Sequence, residues 1–91
     1  MTYTIDFTPE ARDTLAKYKK SNPQLFKKFS KVLVELMDHP RTGTGHPEPL
    51  RGGGDITYSR RISGQHRIVY DIYDERITVL VISVEGHYGD K

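Results

Sequence analysis

Residues 56–84 read ITYSRRISGQHRIVYDIYDERITVLVISV. Three β-rich runs separated by turn residues make this stretch an antiparallel meander. Ile56 to Ile62 alternates, with Ile56, Tyr58, Arg60 and Ile62 on one side and Thr57, Ser59 and Arg61 on the other. Ser63-Gly64 reads as a two-residue hairpin turn. Gln65 to Tyr73 then puts His66, Ile68, Tyr70 and Ile72 on one face and Arg67, Val69 and Asp71 on the other. Asp74-Glu75 turns the chain again. Arg76 to Val84 is apolar on both faces, which suits an interior strand.

Upstream, Thr2 to Phe7 alternates and is rich in β-formers, so it predicts a short strand. Thr8-Pro9-Glu10 supplies a helix N-cap, a proline at the first helical position and an acid in the first turn. Ala11, Leu15 and Tyr18 recur on one face of that helix. Ser21-Asn22-Pro23 ends it and starts a second, in which Phe26, Phe29, Leu33, Leu36 and Met37 form an amphipathic stripe up to Pro40. Strands and helices are segregated, so the fold class is α+β: an N-terminal strand, a two-helix hairpin, then an antiparallel meander packed on the helices. The sheet face away from the helices is expected to display Arg67 and Arg61.

Length and composition bound the rest. The 91 residues predict one domain spanning 1–91. With no cysteine, a disulfide framework and a thiolate metal site are both excluded. No apolar run approaches the roughly 20 residues that span a bilayer, and Met1 to Asp6 lacks the basic and apolar regions of a signal peptide. A cytoplasmic protein without a membrane partner is expected. The formal net charge of +2 is too small to identify a nucleic-acid binder. Its distribution says more: residues 1–42 hold eight basic and five acidic side chains, residues 43–91 six and seven. The helix lysines, Lys17 to Lys31, form either a solvated face or a surface that meets a polyanion.

Residues 41–55 form a Gly/Pro loop, long for a small domain. Within it, Glu48 sits between Pro47 and Pro49, which stiffen the backbone on both sides of one carboxylate. Arg60, Arg61 and Arg67 on the first hairpin, Arg51 after the loop, and His87-Tyr88 near the C-terminus complete a set able to cleave a phosphodiester through the neighbouring ribose hydroxyl. One group takes the 2′-OH proton, another protonates the departing 5′ oxygen, and arginines stabilise charge on the phosphoryl oxygens. That chemistry needs neither metal nor cofactor. Plainer readings stand beside it. Glu48 pairs with an arginine or caps a turn; Arg60 and Arg61 are cross-strand partners of Asp71 or Glu85. His66 has the parity of core-facing Ile68 and reads as a satisfied histidine, while His39 and His46 read as exposed. The histidines lack metal-ligand spacing, and Gly52-Gly53-Gly54 lacks the features of a phosphate loop.

Pro47-Glu48-Pro49-Leu50-Arg51, Ser59-Arg60-Arg61-Ile62, His66-Arg67-Ile68-Val69-Tyr70 and His87-Tyr88, in this order and spacing, resemble the YoeB/Txe branch of the RelE-type toxins, which are bacterial toxin–antitoxin endoribonucleases. The motifs run from residue 47 to 88, and the helix pair ahead of them fits in length and order. The resemblance implies a RelE-like fold and an mRNA interferase that enters the ribosomal A site and cuts the message there. By position it implies Glu48 as general base, His87 as general acid, Arg67 as the arginine at the scissile phosphate and Tyr88 as the aromatic that orients substrate. Arg51 and Arg61 match supporting basic positions; with Arg60, Lys17, Lys20, Lys27 and Lys28 they are the candidate RNA- and phosphate-contacting residues. The resemblance also implies a cognate antitoxin of the YefM/Axe kind, whose C-terminal segment folds onto the toxin, and toxin homodimers are common in the branch. The chain departs from the pattern by continuing through Gly89-Asp90-Lys91. The rival expectation is a non-nuclease of the same fold, either an inhibitor of DNA gyrase or an inactive relative that only binds antitoxin.

Overall fold

A computed structural model describes residues 2–43, 45, 47–50 and 56–85. The order is β1 (Thr4–Phe7), α1 (Pro9–Ser21), α2 (Pro23–Asp38), β2 (Glu48–Pro49), β3 (Thr57–Arg61), β4 (Arg67–Tyr73), a 3-10 turn (Asp74–Arg76) and β5 (Thr78–Glu85). Two helices cover one face of a five-stranded mixed sheet of order β1-β5-β4-β3-β2. The α+β class and the meander are as the sequence predicts. The sequence did not reveal that β1 lies parallel to β5 at one edge, or that two residues of the Gly/Pro loop pair with β3 at the other.

Capping chemistry sets the helix ends. The Thr8 hydroxyl oxygen accepts the Ala11 N–H at 3.1 Å, with Pro9 following. Asn22 serves both helices: its N–H donates to the Tyr18 carbonyl at 2.8 Å, and its Oδ1 accepts the Leu25 N–H at 3.2 Å. The His39 N–H donates to the Glu35 carbonyl and closes α2 ahead of Pro40. No helix among the described residues is long and apolar enough to cross a membrane.

The core joins Ala11, Leu15, Leu25, Phe29, Val32 and Leu36 of the helices to Ile68, Tyr70, Ile72, Val79, Val81 and Val84 of the sheet. Relative to the predicted stripe, α2 is rotated: Leu25 and Val32 are buried, whereas Phe26, Leu33 and Met37 flank the core half-exposed. The β3–β4 connection runs from Ile62 to His66 rather than over two residues, because the Ile62 and Ser63 N–H groups both turn back to the His66 carbonyl. Ile77, expected in a strand, instead takes a left-handed conformation (φ 50°) that a β-branched residue adopts only under constraint.

β5 also breaks simple alternation. Val69 pairs with Ser83 and Tyr70 with Val81, which leaves Ile82 as a bulge. The Thr8 hydroxyl donates to the Ile82 carbonyl at 2.6 Å, so the α1 cap also pins the bulge. The parity flip puts Val84 in the core with Val79 and Val81.

Arg60 corrects the sequence expectation. Expected among the RNA-contacting arginines, it is fully buried and faces the helices. Its guanidinium donates to Glu35 Oε1 at 2.7 Å and to the His39 and Thr42 carbonyls at 2.8 Å each. Tyr70 lies beneath it, ring centroid 6.0 Å away, and donates its own hydroxyl to the Pro40 carbonyl at 2.8 Å. The end of α2 and the start of the following loop are thereby fastened to β3. One residue further along, Arg41 grips Asp74 through two N–H···O bonds of 3.2 and 2.9 Å, and Tyr3 donates to the same carboxylate at 2.7 Å.

Arg60→Ala is expected to lower stability by about 3–5 kcal/mol, because it breaks an ion pair whose guanidinium is fully buried and takes the donor from two backbone carbonyls. Urea melts check this as a lower midpoint at unchanged slope. Arg60→Lys, a point charge where a planar fork is needed, should recover only part of the loss. The Arg41 guanidinium, aided by the Tyr3 hydroxyl, holds the Asp74 carboxyl below its usual range. Its contribution to stability is present above the unfolded carboxylate pKa and is lost as pH falls through the depressed folded value. A carboxyl NMR titration should find Asp74 below an ordinary aspartate, and Arg41→Gln should raise it.

Candidate active site

The loop that follows Arg41 reaches the sheet edge in a conformation only glycine permits. Gly45 has φ 86°. Its carbonyl accepts the Arg61 N–H at 2.9 Å, and a Cβ here would collide with the Arg61 carbonyl and the Arg60 side chain. Past this contact, Glu48 pairs with Ser59 and Pro49 with Tyr58. The Leu50 N–H points at β3, donating to the Thr57 carbonyl at 2.9 Å. By strand alternation, the Pro49 nitrogen therefore faces outward, where the ladder needs no donor. An edge strand with proline in that position also resists pairing with another chain.

This register sets Glu48 beside the residues on the sheet face opposite the helices. Gly45, Glu48, Ser59, Arg61 and Arg67 line one cleft of about 90 Å³. Arg61 and Arg67 are direct cross-strand partners. Arg67 is half-buried and donates from Nη1 to the Ser59 hydroxyl at 3.2 Å, while Arg61 is exposed. Like charges directly opposite each other on a sheet are destabilising. Glu48 is exposed, and no hydrogen bond or ion pair occupies its carboxylate among the described residues. The arrangement offers a carboxylate and two guanidiniums around one open cleft.

Of the residues named from the sequence, the structure brings Glu48, Arg61 and Arg67 together. Arg60 is turned away into the core. Lys17, Lys20, Lys27 and Lys28 are exposed on the helices, which cover the other face of the sheet. His87, Tyr88, Arg51, His46, Gly52-Gly53-Gly54, the Glu85 side chain and the Gly89-Asp90-Lys91 tail lie outside what is described. β5 ends at Glu85, whose backbone pairs with Arg67, two residues before His87 in the sequence. His66 is half-buried, as its parity suggested, and sits 2.9 Å from the Ser63 hydroxyl through Nδ1. Among the described residues no group of three or more His, Cys, Asp or Glu side chains could hold a metal ion. Sequence reasoning passed over Ser59 and Gly45. Ser59 shares the parity of Arg61 and was open to discovery; the Gly45 contact depends on a register that no local pattern encodes.

The sequence matches the family described as YoeB-like toxin of bacterial type II toxin-antitoxin system over residues 7–88. The toxin RelK of Mycobacterium tuberculosis is 30% identical over 77 residues, covering 85% of this chain and 91% of that protein. The mRNA interferase toxin RelE of Escherichia coli is 33% identical over 84 residues, covering 92% and 82%. Among solved structures, a YoeB/ParE toxin from Agrobacterium tumefaciens superposes with a TM-score of 0.84 at 27% identity, covering 93% of this chain and 99% of that one. The YoeB–YefM complex from Staphylococcus aureus matches with a TM-score of 0.80 at 29% identity, covering 97% and 100%. The chain belongs to the YoeB-like toxins of bacterial type II toxin–antitoxin systems, within the RelE superfamily.

Gly45→Ala tests the close approach that fixes the loop. Its left-handed backbone and the collision with β3 together should cost about 1–3 kcal/mol. Amide spectra should show shifts concentrated at residues 45–50 and 59–61, with the helices unchanged.

Proposed function

We propose that this toxin is an endoribonuclease that cleaves mRNA in the ribosomal A site and so arrests translation in the cytoplasm. Residues 1–91 act as one domain. The observation that carries this reading is the cleft in which the proline-flanked Glu48 faces Arg61 and Arg67 across β2, β3 and β4. Glu48 takes the proton of the ribose 2′-OH, and the 2′ oxygen attacks the adjacent phosphorus. Arg67 and Arg61 stabilise the charge that builds on the phosphoryl oxygens. His87 gives a proton to the leaving 5′ oxygen, Tyr88 orients the substrate, and Arg51 adds a basic contact. The products are a 2′,3′-cyclic phosphate and a 5′-hydroxyl end. Support also comes from the name of the E. coli relative, an mRNA interferase. It comes too from the short step in sequence between Glu85, paired with Arg67, and His87. The Staphylococcus aureus YoeB was solved with YefM, and by that likeness a cognate antitoxin of the YefM/Axe kind neutralises this chain.

The decisive measurement is cleavage of a message on programmed ribosomes. Glu48→Gln should lower the rate by about two to four orders of magnitude, the usual size of a lost proton-transfer group. Arg67→Gln should lower it by about two to three orders, the scale of a lost transition-state donor. Near-normal cutting by Glu48→Gln would end this mechanism, and growth arrest without new message ends would end the nuclease reading itself.

A further inference from the structure

A second concavity lies on the helix side of the β3–β4 connection, away from Glu48. It is a groove of about 230 Å³ between the start of α2 (Asn22, Gln24, Leu25, Lys28) and Ser63 and His66 of the connection. Among the described residues no carboxylate lines it. Asn22 spends its Oδ1 on the Leu25 N–H and keeps its amide NH2 as a donor. The Ser63 hydroxyl oxygen accepts the Gln65 N–H at 3.3 Å and lies 2.9 Å from His66 Nδ1. The His66 ring stands edge-on to Tyr18 and Phe29, at 5.6 and 6.4 Å between centroids, which fixes its plane. Among the described residues only its Nδ1 is hydrogen-bonded.

We propose that this groove binds a backbone phosphate of an RNA strand that crosses the hairpin tip from the Glu48 cleft, a subsite that rests on the RNA-cleaving reading above. The lining offers amides, a hydroxyl, an imidazole and the Lys28 ammonium, all able to donate to an oxyanion. Ser63 follows Arg61 by two residues and His66 immediately precedes Arg67. The chain that forms one wall of the groove is therefore the chain that carries the two arginines of the cleft. Lys17, Lys20, Lys27 and Lys31 are exposed on the same two helices and extend the positive surface beyond it. A peptide docked through apolar side chains is a poorer fit. A peptide held by apolar anchors needs hydrophobic pockets, and among the described lining residues the one aliphatic side chain, Leu25, is 6% exposed. Lysines instead bind phosphate as point charges without regard to sequence.

The test titrates the full-length toxin against a short fluorescent 2′-O-methyl RNA, which lacks the attacking hydroxyl, by anisotropy across a KCl series. Lys28→Ala, at an exposed position that leaves folding intact, should weaken binding several-fold. It should also reduce the salt slope by about 0.7, one phosphate contact on a single strand. His66→Gln should weaken binding, because it removes the imidazole from the groove. Thermal melts of each variant separate lost contacts from lost fold. Unchanged affinity and slope in Lys28→Ala, or no measurable binding by the unaltered toxin, overturns the proposal. Loss of affinity for purified antitoxin with RNA binding intact also overturns it and makes the groove a protein site. Because the probe cannot be cut, normal message cleavage by Glu48→Gln would sink the nuclease mechanism without touching this binding result.

Discussion

A guanidinium with no exposure to solvent must be met by acceptors, and the acceptors that meet Arg60 dictate the path of the chain. They come from the last turn of α2 (Glu35), its C-cap (His39) and the loop beyond (Thr42). The end of a helix is a favourable place for a cation, because its last carbonyls are unpaired and carry the negative pole of the dipole. Burying Arg60 therefore joins β3 to the helix layer without leaving the charge isolated. It also decides what β3 shows on its other side. With Arg60 turned inward, Ser59 and Arg61 must face outward, toward Glu48 and Arg67. The Pro40 carbonyl, held by Tyr70, and the Arg41–Asp74 bond extend the same fastening along the loop that leads to Glu48.

The far side of the sheet is governed by a comparable device. β5 lies between β1 and β4 and is shielded by α1, so strict alternation would keep its odd-numbered residues in the core to the end. The Ile82 bulge interrupts that parity, and Thr8 holds it by both its N–H, donated to the Val81 carbonyl, and its hydroxyl, donated to the Ile82 carbonyl. After the bulge Val84 faces the core, while Ser83 pairs with Val69 and the Glu85 backbone with Arg67. A helix cap at residue 8 thus sets the register in which the last strand reaches the cleft.

Local chemistry was legible in the sequence, and distant acceptance was not. The Thr8-Pro9 and Asn22-Pro23 caps, the two helices and the meander follow from residues within a turn or two of each other. The parity of β3 was legible too: it put Arg60 with Tyr58 and Ile62 on the side that proves to face the core. What hid its role is that a buried arginine depends on partners 18 to 25 residues away, and nothing near Arg60 announces Glu35 or Thr42. The same limit applies to the bulge, to parallel pairing of β1, and to Gly45, whose need for glycine arises from the backbone of Arg61. Glu48 stood out because prolines mark it locally. Its neighbours in the cleft were identifiable as candidates, but their convergence depended on the pairing of β2 with β3.

The cleft is also the part of the sheet least suited to stability. Arg61 and Arg67 face each other as like charges where a sheet ordinarily places opposite or apolar partners. Ser59 is almost fully buried between the two strands and accepts from one of those guanidiniums. Glu48, the nearest acid across the β2–β3 pair, is held at the edge by the prolines and lies opposite Ser59 rather than opposite either arginine. A register shift of two residues would set the acid opposite an arginine and relieve the repulsion. The Gly45–Arg61 contact and the Leu50–Thr57 hydrogen bond prevent that shift from either side. The scaffold therefore holds an acid and two cations close together on one face of the sheet, in a register that neither end of β2 can slip out of.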